Sequence, residues 1–307
     1  MNRPRVCVVI PARDAAATIA RAVASAQAQE PPPDEVLVVD DASRDSTADL
    51  AQRLGARVLC LPAQAGAAGA RNAGVAATDA EAIAFLDADD EWLPGKLARQ
   101  VPLLDGAVFV ACTARLFAGN GDSLGPLYNG EIPRDGADAW RGLLERNTVA
   151  TSTVLVWRHE FLAAGGFDPA LPVAEDQDLW IRLALRGRLA YARESLVHMH
   201  CVPTSVSGVG TPLGARQQIA ITLPMIERHL AANRARLSAA EIRRIRADRW
   251  LRVGGGACWT GAWTEGVPLL LRAAMLGHRP GLALRTAIVT APPLRRLRQW
   301  LRRRLGR

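Results

Sequence analysis

Residues 81–92 read EAIAFLDADDEW, an apolar run that ends abruptly in Asp87, Asp89 and Asp90. Like charges this close repel and raise one another's pKa, so the cluster needs a cationic partner. A hard divalent ion with oxygen ligands supplies one, and such ions commonly carry a substrate's phosphates with them. The competing reading is an acidic turn that caps a helix starting near Pro94. Two further acidic pairs stand elsewhere. Asp40-Asp41 closes the run EVLVVD, and Glu175-Asp176 opens AEDQDLWIRLALRG, an amphipathic helical pattern. Acid in the first turn of a helix suits its dipole. That is the structural reading of Glu175, Asp176 and Asp178, and the favoured one for Asp178.

The elements that carry these residues alternate. RVCVVI (5–10), EVLVVD (35–40), ARVLCL (56–61) and EAIAFLD (81–87) have the length and apolar continuity of buried strands. Between them, residues 15–29, 45–54 and 66–77 read as helices, the second with Ser43 or Asp45 as N-cap. This rhythm predicts an α/β fold, a mostly parallel sheet flanked by helices. In such sheets ligands bind beyond the carboxyl ends of the strands. Strands one, two and four end there in Pro11-Ala12-Arg13-Asp14, Asp40-Asp41 and Asp87 to Asp90. Further on, 107–117 and 151–157 read as strands, 119–130 as a loop or hairpin, 138–146 as a helix and 165–169 as a turn. From 212 onward the pattern is helical and Arg-rich, with Gly254 to Gly256 as a break.

Charge divides the chain more sharply than hydropathy does. Residues 1–200 hold 19 basic and 26 acidic side chains; residues 201–307 hold 19 and 4, a net of +15. Two regions with different surroundings follow, 1–210 and 211–307. Nearly every basic residue is Arg, and Lys96 is the only lysine. The five cysteines are far apart and form no CxxC, which argues against a zinc knuckle or a disulfide framework and fits a reducing compartment. The amino terminus enters VCVVIPAR with no signal-like apolar core, and no uninterrupted apolar stretch reaches the roughly 18 residues of a spanning helix. A cytoplasmic protein, soluble or peripheral at the inner face of the plasma membrane, is expected.

VVIPARD, VLVVDDASRDST, GAAGARNAGV, FLDADDEW and AEDQDLWIRL stand in the order and approximate spacing of glycosyltransferase family 2, which the chain resembles over about residues 4–207. Five such motifs in register are specific for the superfamily and say little about which sugar is moved. The resemblance implies the GT-A nucleotide-sugar fold, with a basic, mainly helical carboxy-terminal extension added here. It implies that Asp40 and Asp41 hold the nucleoside, that Pro11 and Arg13 lie against the base, and that Arg71 reaches the nucleotide or diphosphate. Asp14 stands where the family usually has Asn. Asp87 and Asp89 match the DxD signature: Asp87 toward ribose, directly or through the metal, and Asp89 as ligand of Mg2+ or Mn2+. Asp90 either orients Asp89 or touches the sugar. Glu175-Asp176 matches the ED motif, whose Asp is the general base, with Glu175 as the fallback. His200 is either a further metal ligand or diphosphate contact, or, like His198, a strand histidine. An alignment on the serines of SVSG (205–208) puts Val202 where relatives place the ligand histidine.

The expected reaction is inverting, metal-dependent transfer from a nucleoside diphosphate sugar, UDP favoured, to a hydroxyl of a glycan or lipid-linked acceptor in envelope or surface polysaccharide synthesis. Two alternatives stay open: transfer to a polyprenyl phosphate, and a non-catalytic nucleotide-binding or membrane-associated scaffold. QxxRW, the signature of long-chain synthases, is absent. Leu294, Leu297, Trp300, Leu301 and Leu305 fall on one face of an Arg-rich helical pattern at 294–307, which reads as an element for an anionic membrane surface, the alternative being a helical appendage solvated by its charges or a dimer face. No helix-turn-helix, RNP or zinc signature points to a nucleic acid partner.

Overall fold

The computed structural model describes residues 3–201, 211–277 and 280–290. The chain divides into two compact units, one of residues 1–143 and 147–205, the other of residues 144–146 and 206–307.

The first unit is built on β1 (Val6–Ala12), β2 (Glu35–Asp40), β3 (Arg57–Cys60) and β4 (Ala82–Phe85). They pair in parallel in the order β3-β2-β1-β4. β1 is central and flanked on both edges, which is why VCVVI is apolar at every position rather than at alternate ones. Helices α1 (Ile19–Gln27), α2 (Thr47–Arg53) and α3 (Gly66–Ala76) follow the first three strands. Ile19, Ala22, Val23 and Ala26 of α1 are buried in one core with Val6, Val8 and Ile10. α3 lies closer to the sheet than a side chain would allow. A Cβ on Gly74 would sit 2.5 Å from Val9 Cγ1 and 3.0 Å from Val39 Cγ2. That close seat fixes the helix that carries Arg71.

Beyond β4 the sheet is mixed. A short β5 (Glu91–Trp92) and α4 (Lys96–Gln100) precede β6 (Phe109–Phe117) and β7 (Ser123–Pro126). Then come α5 (Ala139–Glu145), β8 (Leu155–Trp157), α6 (Arg158–Ala163), α7 (Glu175–Arg186) and β9 (Leu189–His200). β8 runs antiparallel to both β4 and β6, β6 runs parallel to β9, and β5 pairs antiparallel with β9. The expected parallel sheet therefore holds for its amino-terminal half.

Three local expectations change. The first helix starts at Ile19 because the backbone N–H groups of Asp14, Ala15 and Ala16 are taken by Ser43, Thr47 and Asp45 side chains. Residues 151–153 form a 3-10 turn ahead of β8, not the start of a strand. β9 is expected only at its histidine end, because LAYARESLVHMH mixes polar and apolar residues without clean alternation.

The second unit is helical: α8 (Pro212–Gln217), α9 (Leu223–Ala232), α10 (Ala239–Thr260), α11 (Trp263–Met275) and α12 (Pro280–Thr290). Ser238 and Glu241 form a capping box at the start of α10. Gly254 to Gly256 do not break that helix. A Cβ on Gly254 would lie 2.8 Å from the Gly266 carbonyl oxygen, so this glycine serves close packing of α10 on α11. Among the described residues no helix is long and apolar enough to cross a membrane. The 294–307 pattern, Val202 and SVSG lie outside the described residues.

Candidate functional site

Arg71, on α3, is the hub. It is buried, and its Nη2 donates to Asp87 Oδ1 at 2.7 Å while Nη1 donates to Glu175 Oε1 at 3.0 Å. One guanidinium thus joins the acidic loop after β4 to the first residue of α7. Burial works against its charge, but Asp87 and Glu175 outweigh that and raise its pKa. Its Nε is buried without a hydrogen-bond partner, and the Phe167 ring centroid lies 5.2 Å from its Cζ. One residue along, Asn72 fixes the approach to α7: its amide donates to the Phe167 carbonyl at 2.8 Å and accepts from the Phe167 N–H at 2.9 Å.

Glu175 and Asp176 open α7 after Ala174, which adopts a left-handed φ of 63°. Asp176 Oδ2 accepts from Asn147 Nδ2 at 2.8 Å, and Oδ1 accepts from the Gln177 N–H at 2.6 Å. Burial and the neighbouring Glu175 push its pKa up to about 7. Asp178 pairs with Arg182 one turn on, at 2.7 Å, in line with its structural reading.

The three acids after β4 point to different places. Asp87 faces Arg71. Asp90 is directed inward, 2% exposed, with Oδ2 accepting from Ser152 Oγ at 2.5 Å and Oδ1 from the His200 N–H at 3.2 Å. Burial, then Asp87 and Asp89, raises its pKa well above the usual range. Asp89 is held through its backbone carbonyl, which accepts from Arg21 Nη2 at 2.6 Å. Burial and Asp87 push its carboxyl up to about 6.

Asp40 and Asp41 end β2. Asp41 is buried and caps α3, accepting from the N–H groups of Ala65 at 2.6 Å and Gly66 at 2.9 Å. Asp40 accepts from the Ser43 N–H at 3.2 Å, and its Oδ1 is buried without a partner. Pro11 pairs in register with Val39 near the end of β1. Arg13 follows, with Nη1 buried and unpartnered. His200, on β9, has Nε2 buried without a hydrogen bond, 3.7 Å from Glu91 Oε2. Burial and Arg21 hold its pKa below the ordinary histidine value.

Hydrogen bonds and charge coupling therefore gather Arg71, Asp87, Asp89, Asp90, Glu175, Asp176 and His200. Asp41 is tied to the amino end of the helix bearing Arg71. Sequence reasoning missed Arg21, Asn147 and Ser152. Each is a polar residue in an otherwise ordinary helix, turn or irregular segment, so its type alone gave no signal. A cavity of about 930 Å³ lies at the other edge of the parallel strands, lined by Arg5, Glu35, Arg57 and Asp79. Its charged groups pair with each other, Arg57 with Glu35 and Arg5 with Asp79.

No three His, Cys, Asp or Glu side chains form a closed metal cage among the described residues. Mg2+ is commonly held by one or two carboxylates plus substrate phosphates, and the donor atoms here suit that arrangement. The Asp89 carboxyl is raised in pKa by burial and by Asp87 beside it, and His200 Nε2 has no hydrogen-bond partner.

The chain adopts the GT-A fold. It matches the mannosyltransferase PcManGT from Pyrobaculum calidifontis, in complex with GDP-Man and Mn2+, with a TM-score of 0.59 and 19% identity over 97% of this chain and 84% of that one. It matches S. aureus TarS 1-349, in complex with UDP-GlcNAc, with a TM-score of 0.58 and 15% identity over 96% and 92%. Residues 7–156 match the family described as glycosyl transferase family 2. The succinoglycan biosynthesis protein ExoO of Rhizobium meliloti (strain 1021) is 33% identical over 220 residues, 67% of this chain and 63% of ExoO. The chain thus spans less than two thirds of that relative's length.

Proposed function

We propose that this protein transfers a sugar from a nucleoside diphosphate sugar to a hydroxyl of a glycan or lipid-linked acceptor, with inversion, in surface polysaccharide synthesis. One observation carries the reading: Arg71 binds both the acidic loop and the head of α7, so a donor site and a half-buried carboxylate of raised pKa share one cluster. Asp176 accepts the acceptor's O–H proton as that oxygen bonds to the anomeric carbon and the bond to the nucleoside diphosphate breaks. Glu175 is the fallback base. Arg71 offers its free Nε to the diphosphate, and a guanidinium suits phosphate oxygens. Asp40 Oδ1 and Arg13 Nη1 are the unpartnered groups toward nucleoside and base, beside Pro11. Asp41 shapes the same edge by capping α3. Asp87, paired with Arg71 through Oδ1, would meet the ribose beside it, and Asp90 holds the loop. Mg2+ or Mn2+ at Asp89, with His200 nearby, would supply positive charge for the departing diphosphate.

The ExoO name supports the polysaccharide setting. The UDP-GlcNAc and GDP-Man bound to fold neighbours support a nucleotide-sugar donor and leave uridine and guanosine as the two bases to compare; the family resemblance favours UDP. The net charge of +15 over residues 201–307 suits an anionic membrane surface, where a lipid-linked acceptor would reside.

The test is a thermal-shift screen of UDP-, GDP- and dTDP-sugars with and without Mn2+. At a hundredfold excess over Kd, the correct donor stabilises the protein by about 2.7 kcal/mol, and the shift requires Mn2+. If no nucleotide sugar moves the melting temperature, the reading is wrong.

A further inference from the structure

Ser152 is fully buried in the 3-10 turn ahead of β8, yet it meets the acidic loop at two points and β5 at a third. Its Oγ donates to Asp90 Oδ2 at 2.5 Å and accepts from the Asp87 N–H at 3.1 Å. Its carbonyl accepts from Trp92 Nε1 at 2.8 Å. One hydroxyl thus spans from the first acid to the last, with Ala88 and Asp89 between the two fixed points.

The turn that carries Ser152 is itself anchored. The Thr153 carbonyl accepts from Gln100 Nε2 at 2.7 Å, and Gln100 Oε1 accepts from Lys96 Nζ at 2.7 Å. Lys96 Nζ lies 3.9 Å from the Trp92 ring centroid, which closes a ring back onto the residue just after the loop. Lys96, Gln100 and Ser152 are each 0% exposed, so none of them can touch a substrate. A buried polar network whose members are tied to one another restricts the geometry of the loop it holds.

We infer that Ser152 is a positioning residue, whose hydroxyl sets where Asp89 presents its carboxylate by pinning the loop on either side of it. This rests on the reading of Asp89 as the residue that meets the donor-bound cation. Asp90 would act in the same capacity, as the carboxyl that Ser152 grips and that ties the loop to β9 through the His200 N–H.

The experiment compares Ser152→Ala, Asp90→Asn, the double variant and Asp89→Ala by titration of Mn2+ in the presence of UDP, well below each variant's melting temperature. Loss of a group that orients a metal ligand typically weakens metal affinity about 10–100-fold. That loss is expected for Ser152→Ala and for Asp90→Asn, with UDP binding in the absence of metal unchanged. The double variant should lose less than the two single losses added together, since the Ser152–Asp90 bond is common to both. A purely structural Ser152 would lower the melting temperature and leave the Mn2+ titration of the folded protein where it was, which overturns the inference. Should Ser152→Ala fail to fold, Asp90→Asn decides alone. If Asp89→Ala leaves Mn2+-dependent binding intact, the assignment of Asp89 is wrong. If Asp89→Ala abolishes it while the other two variants do not alter it, only the positioning role fails.

Discussion

Asp176→Asn should bind donor as the parent does and lose transfer by about 10²–10⁴-fold, the usual contribution of a positioned base. The amide is nearly isosteric with the acid, so the contact with Asn147 has a partner of the same shape, but it cannot take a proton. The parent's pH profile supplies an independent check. Only the ionised carboxylate is a base, and burial with Glu175 places its pKa at about 7. Transfer should therefore rise with pH through neutrality and level off above it. Stability should run the opposite way. A carboxyl whose pKa is raised in the folded state contributes stability that is full below its unfolded value, roughly pH 4, and is lost as pH rises through about 7. Asp176→Asn is neutral throughout, so its melting temperature should gain on the parent's between pH 5 and pH 8. Transfer to a polyprenyl phosphate needs no hydroxyl deprotonated. Retained activity in Asp176→Asn would favour that chemistry, unless Glu175→Gln proves inactive, which would make Glu175 the base.

Arg71→Met should be the most destabilising change at the site. It leaves Asp87 and Glu175 without the cation that joins them. Removing one member of a buried ion pair costs about 3–5 kcal/mol, and the lower end applies because the Asp87 side chain is 29% exposed. For a unit of about 200 residues each kcal/mol lowers the melting temperature by about 2–4 °C, so a fall on the order of 10 °C is expected, together with loss of nucleotide binding. Arg71→Lys should not restore either property, because a single ammonium lacks the planar fork that reaches two carboxylates at once. Calorimetry and nucleotide titration on the two variants check this. A melting temperature unchanged in Arg71→Met would show that the bridge contributes little to the fold.

The scaffold was legible where physics acts locally. Continuous apolar runs gave β1, β2 and β4, since a strand covered on both faces has no polar positions to reveal. Acidic residues at their ends marked the working edge. What could not be read was which lone pair of each carboxylate is already engaged. Asp40 and Asp41 are neighbours of the same type, yet Asp41 spends both oxygens on α3 and Asp40 keeps one unpartnered. Asp89 and Asp90 differ likewise, one held only by its backbone, the other facing into the core. Thr151 and Thr153 favour extended structure by type, but contacts from distant residues bend the segment into a turn. Such differences arise from partners 24 to 110 residues away, and local pattern carries no trace of them.

Lys96 is the sole lysine of the chain and has no solvent-accessible surface. A protease that cleaves only after lysine therefore has one target, and that target lies under the acidic loop. Cutting requires the surrounding structure to open, so the rate of appearance of two fragments follows the opening equilibrium of this region. Without any added label, the protein carries its own reporter of how firmly a ligand closes it.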